Sequence, residues 1–431
     1  MSEIKFSVNE TIDVHKNTTT KKIDSKYLVI HSPSANWLTL TKEEFFFFYN
    51  LQNKLSIKES LVMIYNSLSL CEDKCLSICE SVLEKIYNYD FLSKNKGEEE
   101  ELIENIKKNI QINITSDCNL HCKHCYLSAG KKNRQYLDFI KIKKFISKID
   151  RDKVSDEIVI SGGEPLLYKE IFPILKFLRK KNFNIILFTN GTLINESNIK
   201  DIAKYVDSIQ VSMEGITKEY FEIIRGKNSY SKVMHAIELI KKENIKLVIA
   251  LTILDSTIDD IENNIDYFCS QLNYDKLEIR LNNVIEKKGN AIKLPNSFFI
   301  KSELREEKTE NILQKIISNG FSKPSKENRG IKFKNCGIGA SIVINQDGLI
   351  YPCNDFSFNQ GLSIDTDVDV IEYFNQLNRE TSYKNIINCN NCDVGFFCCG
   401  GCKIKNKLDN GDYKIPTCNK YEIYKKMISR N

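Results

Sequence analysis

The spacing of hydrophobic residues changes character along this chain, and each change marks a region. In the first ninety residues, short apolar runs at Tyr27–His31 and Trp37–Thr39 flank the turn-like segment Ser32–Asn36 and read as two strands. Thr41-x-x-Glu44 and Ser56-x-x-Glu59 are capping boxes. They open one helix through Phe45–Phe48 and a second to about Leu68. A third helix is expected from about Cys71 to Tyr89. Cys71, Cys75 and Cys79 recur every four residues and share one face of it, where core packing explains them more simply than a metal. Strands followed by three helices predict a winged-helix-like module over residues 1–92. The charged run Ser93–Glu101 then begins a linker over 93–110.

From residue 111 the pattern alternates between apolar strands and amphipathic helices. Candidate strands are Gln111–Thr115, Glu157–Ser161, Asn184–Thr189, Ser208–Met213, Lys246–Ile253 and Lys276–Leu281, with helices such as Asp138–Ile149, Ile171–Lys181 and Ser231–Glu243 between them. Repeated strand–helix units imply a parallel sheet. Six of them predict an α/β fold, a partial (β/α)6 TIM-like barrel over 111–290. Residues 291–335 are charged with little periodicity and read as a bridge. Residues 336–431 form a cysteine-rich C-terminal domain.

A length of 431 residues fits two to four domains, and 42% hydrophobic with 28% charged residues is ordinary globular chemistry. A net charge of +5 is mild, and the front module has no basic recognition helix, so a nucleic-acid partner is not expected. Met1-Ser-Glu-Ile-Lys5 lacks a signal-peptide core and no apolar run reaches spanning length. A cytoplasmic protein with no membrane partner is expected. Fifteen cysteines then change the picture, because in a reducing compartment metal explains them better than disulfides. They cluster: three near residue 75, three between 118 and 125, Cys269 alone, and eight after 335.

Chemistry in parallel barrels gathers at the C-terminal ends of the strands, and the motifs fall there. After the first strand comes Cys118-x3-Cys122-x2-Cys125, a spacing that lets three thiolates converge on one centre and leaves one iron of a cubane cluster open. His121 or His124 also offers a fourth zinc ligand, so the loop alone fits either metal. After the second strand comes Ser161-Gly162-Gly163-Glu164-Pro165, whose glycines allow a close backbone approach. Thr189-Asn190-Gly191 ends the third strand and reads equally as a turn.

Cys118, Cys122 and Cys125, followed by the aromatic Tyr126 and then by Gly162–Pro165, resemble the signature of the radical S-adenosylmethionine (SAM) enzymes. The resemblance implies a [4Fe-4S] cluster on the three cysteines whose open iron is chelated by SAM. It implies that Gly162, Gly163, Glu164 and Pro165 receive the SAM amino group, with Asn190 alongside. Ser212 and Arg225 match positions that contact its ribose and carboxylate, although Arg225 also reads as a surface ion pair. Arg280 is a further candidate facing the site, and Cys269 reads as core.

In the C-terminal region Cys336-x11-Gly348-x4-Cys353 precedes Cys389-x2-Cys392-x5-Cys398-x3-Cys402 and Cys418. The array is similar to the SPASM domain and implies two auxiliary iron–sulfur clusters. Cys389, Cys392, Cys398 and Cys418 would ligate one. Cys336, Cys353 and Cys402 would hold the other, with an open position that Cys399 fills or, as the simpler reading, only adjoins. Asn345–Gly348 reads as a hairpin turn. The front module resembles PqqD-like recognition elements, which bind the leader of a ribosomal precursor peptide as an added strand. Together these imply a radical SAM peptide maturase, of the type that closes thioether cross-links on a cysteine-rich peptide. It would draw electrons from a flavodoxin or ferredoxin. Carbon–carbon cross-linking, epimerisation and formylglycine formation are the other outcomes of that chemistry, and a zinc-binding regulatory scaffold is the alternative of a different class.

Overall fold

The computed structural model describes residues 7–93, 107–130, 134–282, 289–295, 303–323, 330, 333–354 and 361–429. Most of the expected linker therefore lies outside the described residues. The chain divides into two compact units, one of Met1–Glu104, Lys326–Ile338 and Asn375–Asn431, the other of Asn105–Ser325 and Gly339–Phe374.

In the first unit, β1 (Thr19–Ile23), β2 (Lys26–His31) and β3 (Asn36–Leu40) form an antiparallel sheet in that order. Helices Lys42–Gln52, Ile57–Leu68 and Glu72–Asn88 follow, and both capping boxes are made. The sequence pattern misses β1, whose Thr-Thr-Lys-Lys-Ile alternates half-buried and exposed positions without an apolar run. Cys75 and Cys79 pack with Phe47, Ile78 and Val82 in the module core, while Cys71 is exposed at the helix start. The rest of this unit is C-terminal. Trp37 is buried against Phe396, Tyr424 and Met427, and its indole N–H donates to the Met427 carbonyl at 2.9 Å.

The second unit holds β4 (Lys108–Asn113), β5 (Val154–Ser161), β6 (Asn184–Thr189), β7 (Ser208–Met213), β8 (Lys246–Thr252) and β9 (Leu277–Asn282), all parallel in sequence order. One face of each strand enters the main core: Ile110 and Ile112, Ile158 and Ile160, Ile209 and Val211. The opposite face carries polar residues, among them Gln111, Asn113, Gln210 and Ser212. This is the expected partial barrel.

Two expectations change. The boundary at residue 336 does not hold, because β10 (Ser341–Ile344) pairs in parallel with β4, and β11 (Leu349–Tyr351) and β12 (Leu362–Ser363) continue the sheet. Asn113 Nδ2 donates to Asn345 Oδ1 at 2.7 Å across that seam. The hairpin itself is as read, with Gly348 at φ +78°. Within the bridge, Glu303–Ser318 is a helix. Its Ile312 and Ile316 are buried in the main core, and Lys308 and Lys315 pair with acids of helix Ile258–Leu272. Sparse apolar positions at i and i+4 hide such a helix among charges. Cys269 is 1% exposed in the same core, as read.

Candidate active site

β4 ends at Asn113, and the chain turns into Thr115–Tyr126 with Cys118, Cys122 and Cys125 all half-buried and unpaired. The loop is held mainly by backbone. Gly163 N–H donates to the Thr115 carbonyl and Glu164 N–H to the Asp117 carbonyl, both at 2.7 Å. A Cβ at Gly163 would lie 2.2 Å from the Asp117 oxygen, and one at Gly162 2.4 Å from the Thr115 oxygen. The two glycines are thus required for the contact between this segment and the cysteine loop itself. From the other side Asn290 N–H donates to the Cys125 carbonyl at 2.8 Å. A Cβ on Gly289 would meet the Cys125 and Tyr126 oxygens at 2.4 Å.

Glu164 is fully buried at the N-terminus of the short helix Pro165–Leu167. It accepts from Thr189 Oγ1 at 2.8 Å and from Asn190 N–H at 2.8 Å, locking the ends of β5 and β6 together. Burial pushes its carboxyl above the ordinary value against the pull of those bonds. Asn190 then reaches the cysteine loop, donating to Asn119 Oδ1 at 2.9 Å and to Cys118 Sγ at 3.7 Å. Backbone N–H groups of Leu120 and Ala129 point at the sulfurs of Cys118 and Cys125, at 3.4 and 3.5 Å.

Arg225 ends helix Lys218–Arg225, but it is not at the surface. Its guanidinium is buried in a two-point pair with Glu214, which follows β7. His124 Nε2 approaches the same carboxylate at 3.3 Å. Burial works to raise the Glu214 carboxyl, yet Arg225 and His124 outweigh it and hold it at about 2. Burial pushes the Cys122 thiol up to about 12, with the Arg225 charge opposing. Ser212 is half-buried on the face of β7 opposite the core residues Val211 and Met213. Tyr126 is half exposed beside Cys125. Arg280 is exposed and pairs with Glu278 on its own strand.

The donor set fits an iron–sulfur cluster. Three thiols share one loop: Cys118 and Cys125 receive N–H donors at sulfur, and Cys122 lies near the buried Arg225 guanidinium, surroundings that stabilise cluster thiolates. The sequence reading missed Glu214, Asn119, Gly289 and Asn290. Glu214 had a signal, an acid right after a strand end with an arginine on the following helix.

In the first unit, Cys389, Cys392, Cys398 and Cys418 fall close enough to interact electrostatically. Helix Lys403–Asn410 organises them. Asn406 Nδ2 donates to the Gly400 carbonyl at 2.8 Å, and its Oδ1 accepts from Thr417 N–H at 3.1 Å, drawing the Cys418 segment to the Cys398–Cys402 turn. Cys399 is buried at φ +58°, with its thiol against the carbonyls of Phe333 and Phe396. Cys336 and Cys402 belong to this unit and Cys353 to the other.

Comparison with known proteins bears on the same region. The model of the Radical SAM superfamily matches residues 112–268, the span of the barrel that carries the cysteine loop and the Gly-Gly-Glu-Pro segment. The chain is 30% identical over 127 residues to the mycofactocin maturase MftC of Mycolicibacterium smegmatis, a match covering 29% of this chain and only 32% of that protein. It is 24% identical over 455 aligned positions to the radical SAM cyclopropyl synthase TigE of Paramaledivibacter caminithermalis, covering 96% of this chain and 93% of that one. The structure of Streptococcus suis SuiB bound to its precursor peptide SuiA superposes with a TM-score of 0.59 at 16% identity, over 95% of this chain and 99% of that one, which speaks to the fold. The protein is an enzyme, and its residues 112–268 are similar to the Radical SAM superfamily.

Proposed function

We propose that this enzyme modifies a ribosomally made precursor peptide by forming a new bond at an unactivated carbon. The observation that carries the reading is the meeting of the three-thiol loop with the Gly162–Pro165 strap and Asn190 at one end of the sheet. Cys118, Cys122 and Cys125 would hold the cluster, and Gly162–Pro165, Asn190, Ser212, Arg225 and Tyr126 would border SAM. When bound, that pair supplies a 5′-deoxyadenosyl radical that takes a hydrogen atom from the substrate. The barrel's part is to aim the peptide and keep water out. The front module would take the leader peptide in the PqqD-like manner, along β1, which has no outer partner strand among the described residues.

Thioether closure is the reading that uses the C-terminal cysteines. Joining a peptide carbon to sulfur would release the C–H hydrogen as an atom, the S–H hydrogen as a proton to solvent and one surplus electron, for which an auxiliary cluster on these cysteines would supply the acceptor. Cys389, Cys392, Cys398 and Cys418 would ligate one such cluster. A flavodoxin or ferredoxin would supply the electron that starts each turnover. A second reading, carbon–carbon ring closure, is favoured by the match to a cyclopropyl synthase over almost the whole of both chains. The deciding experiment is anaerobic reaction with SAM, reductant and a cysteine-containing peptide encoded beside the gene, read by mass spectrometry before and after alkylation. Loss of two hydrogens with one thiol no longer alkylated supports the thioether. The same mass loss with every thiol still reactive assigns ring closure. An iron-loaded protein that never cleaves SAM to 5′-deoxyadenosine overturns both.

A further inference from the structure

Helix Lys403–Asn410 begins with a residue that its sequence context disguises. Lys403 opens the run Lys-Ile-Lys-Asn-Lys, which reads as a solvated basic face. Its side chain is instead folded inward and 1% exposed. The ammonium donates to the carbonyls of Cys399 at 2.5 Å and Gly401 at 3.1 Å, inside the turn between Cys398 and Cys402. Among the described residues no carboxylate pairs with it. The charges that act on it are sulfurs, those of Cys336, Cys399, Cys389 and Cys398. A buried ammonium without a counter-ion is costly, and two carbonyl dipoles only part-compensate it. The cost is recovered when thiolates carrying a net negative cluster occupy the site. Helix geometry supports the same placement: Asn406, one turn on, is equally buried and holds the Cys418 side of the site.

We infer that Lys403 is the built-in counter-charge of the auxiliary cluster on Cys389, Cys392, Cys398 and Cys418, and that it sets that cluster's reduction potential. The inference rests on the reading of those cysteines as cluster ligands. A fixed positive charge favours the reduced, more negative state, so Lys403 raises the potential and makes the cluster a better acceptor of the electron left on the substrate. It is a positioning and tuning residue with no contact to the reacting atoms.

The test is EPR-monitored redox titration of the reconstituted full chain, in a background where Cys118, Cys122 and Cys125 are alanine so that only auxiliary signals remain. Lys403→Met keeps the volume and removes the charge, and Lys403→Arg keeps the charge. The expected result is at least a tenfold weaker reduction equilibrium for one auxiliary signal in Lys403→Met, about 59 mV for one electron. Lys403→Arg should stay with the parent. Should Lys403→Met fail to keep its iron while Lys403→Arg retains it, the charge is again the reason. An unchanged potential in Lys403→Met, equal shifts in both variants, or equal iron loss in both would reduce Lys403 to a staple of the turn and overturn the inference. A parent protein with no auxiliary iron at all would overturn the underlying ligand reading with it, and the iron analysis separates that case from the others.

Discussion

Two cysteine-bearing turns in this molecule are held by opposite means. The loop with Cys118, Cys122 and Cys125 is strapped by main chain, through bonds from Gly163, Glu164 and Asn290 to carbonyls of the loop. The Cys398–Cys402 turn is held by two side chains of the helix that follows, Lys403 and Asn406. These main-chain straps bring Gly162, Gly163 and Gly289 against carbonyls of the loop where no Cβ fits, so they leave a glycine signature. The side-chain straps of the second turn leave no such mark, and its Gly400 and Gly401 answer instead to the turn's own backbone, at φ +71° and +74°. The three thiols of the barrel loop are half-buried, whereas Cys402 and Cys418 are exposed.

The sharpest way to break this contrast is Gly163→Val. Its Cβ would lie 2.2 Å from the Asp117 oxygen, backbone against backbone, so the cysteine loop must move. We expect turnover to fall by more than about 100-fold, the scale set by an ångström of misplacement. Iron should drop by about four per chain, one cluster's worth, with the auxiliary iron retained. Loss of all iron would show that the two turns are not independently built. Next in size is Arg225→Met, which leaves the Glu214 carboxylate buried without its guanidinium. A loss of about 3–5 kcal/mol in denaturant unfolding is expected, largely restored by replacing Glu214 with leucine as well. A single variant as stable as the parent would mean that His124 or water suffices as partner.

Much of the barrel was legible because strand periodicity and glycine straps both write themselves into sequence. Asn184–Thr189 and Ser208–Met213 were located to the residue. What escaped notice depends on pairing over long separations or on burial of charge. β10 reaches β4 across more than two hundred residues, and nothing in Ser-Ile-Val-Ile says which sheet it joins. Arg225 and Lys403 look like surface cations, since charge ordinarily means exposure. Only the fold shows that one faces Glu214 and the other the carbonyls of Cys399 and Gly401. The glycines of Gly162–Gly163 were recognised, but as an approach to ligand, when the close contact they make here is to the cysteine loop.

At the C-terminal turn, Asn406→Ala removes donors to the Gly400 and Tyr413 carbonyls and the acceptor of Thr417 N–H. Asn406 is buried, so these partners lose their bonds with no water to replace them, at about 1–3 kcal/mol. Iron retention at the C-terminal cysteines should fall with it, measured as iron per chain after gel filtration, while the core cluster stays. Retention equal to the parent would place the ordering of that turn elsewhere.

The smallest effect should come from Asn119→Ala in the barrel loop. Asn119 lies between Cys118 and Cys122, accepts from Asn190 and donates to Thr192 Oγ1 at 2.8 Å, so by position it looks indispensable. Yet it is exposed, and water can take both of its bonds. If main chain shapes this loop, its loss should cost no more than about 1 kcal/mol in thermal or urea unfolding. Core iron and SAM cleavage should remain near the parent level. A collapse of core iron in Asn119→Ala would show that the loop relies on its side chains after all, and the distinction between the two turns would dissolve.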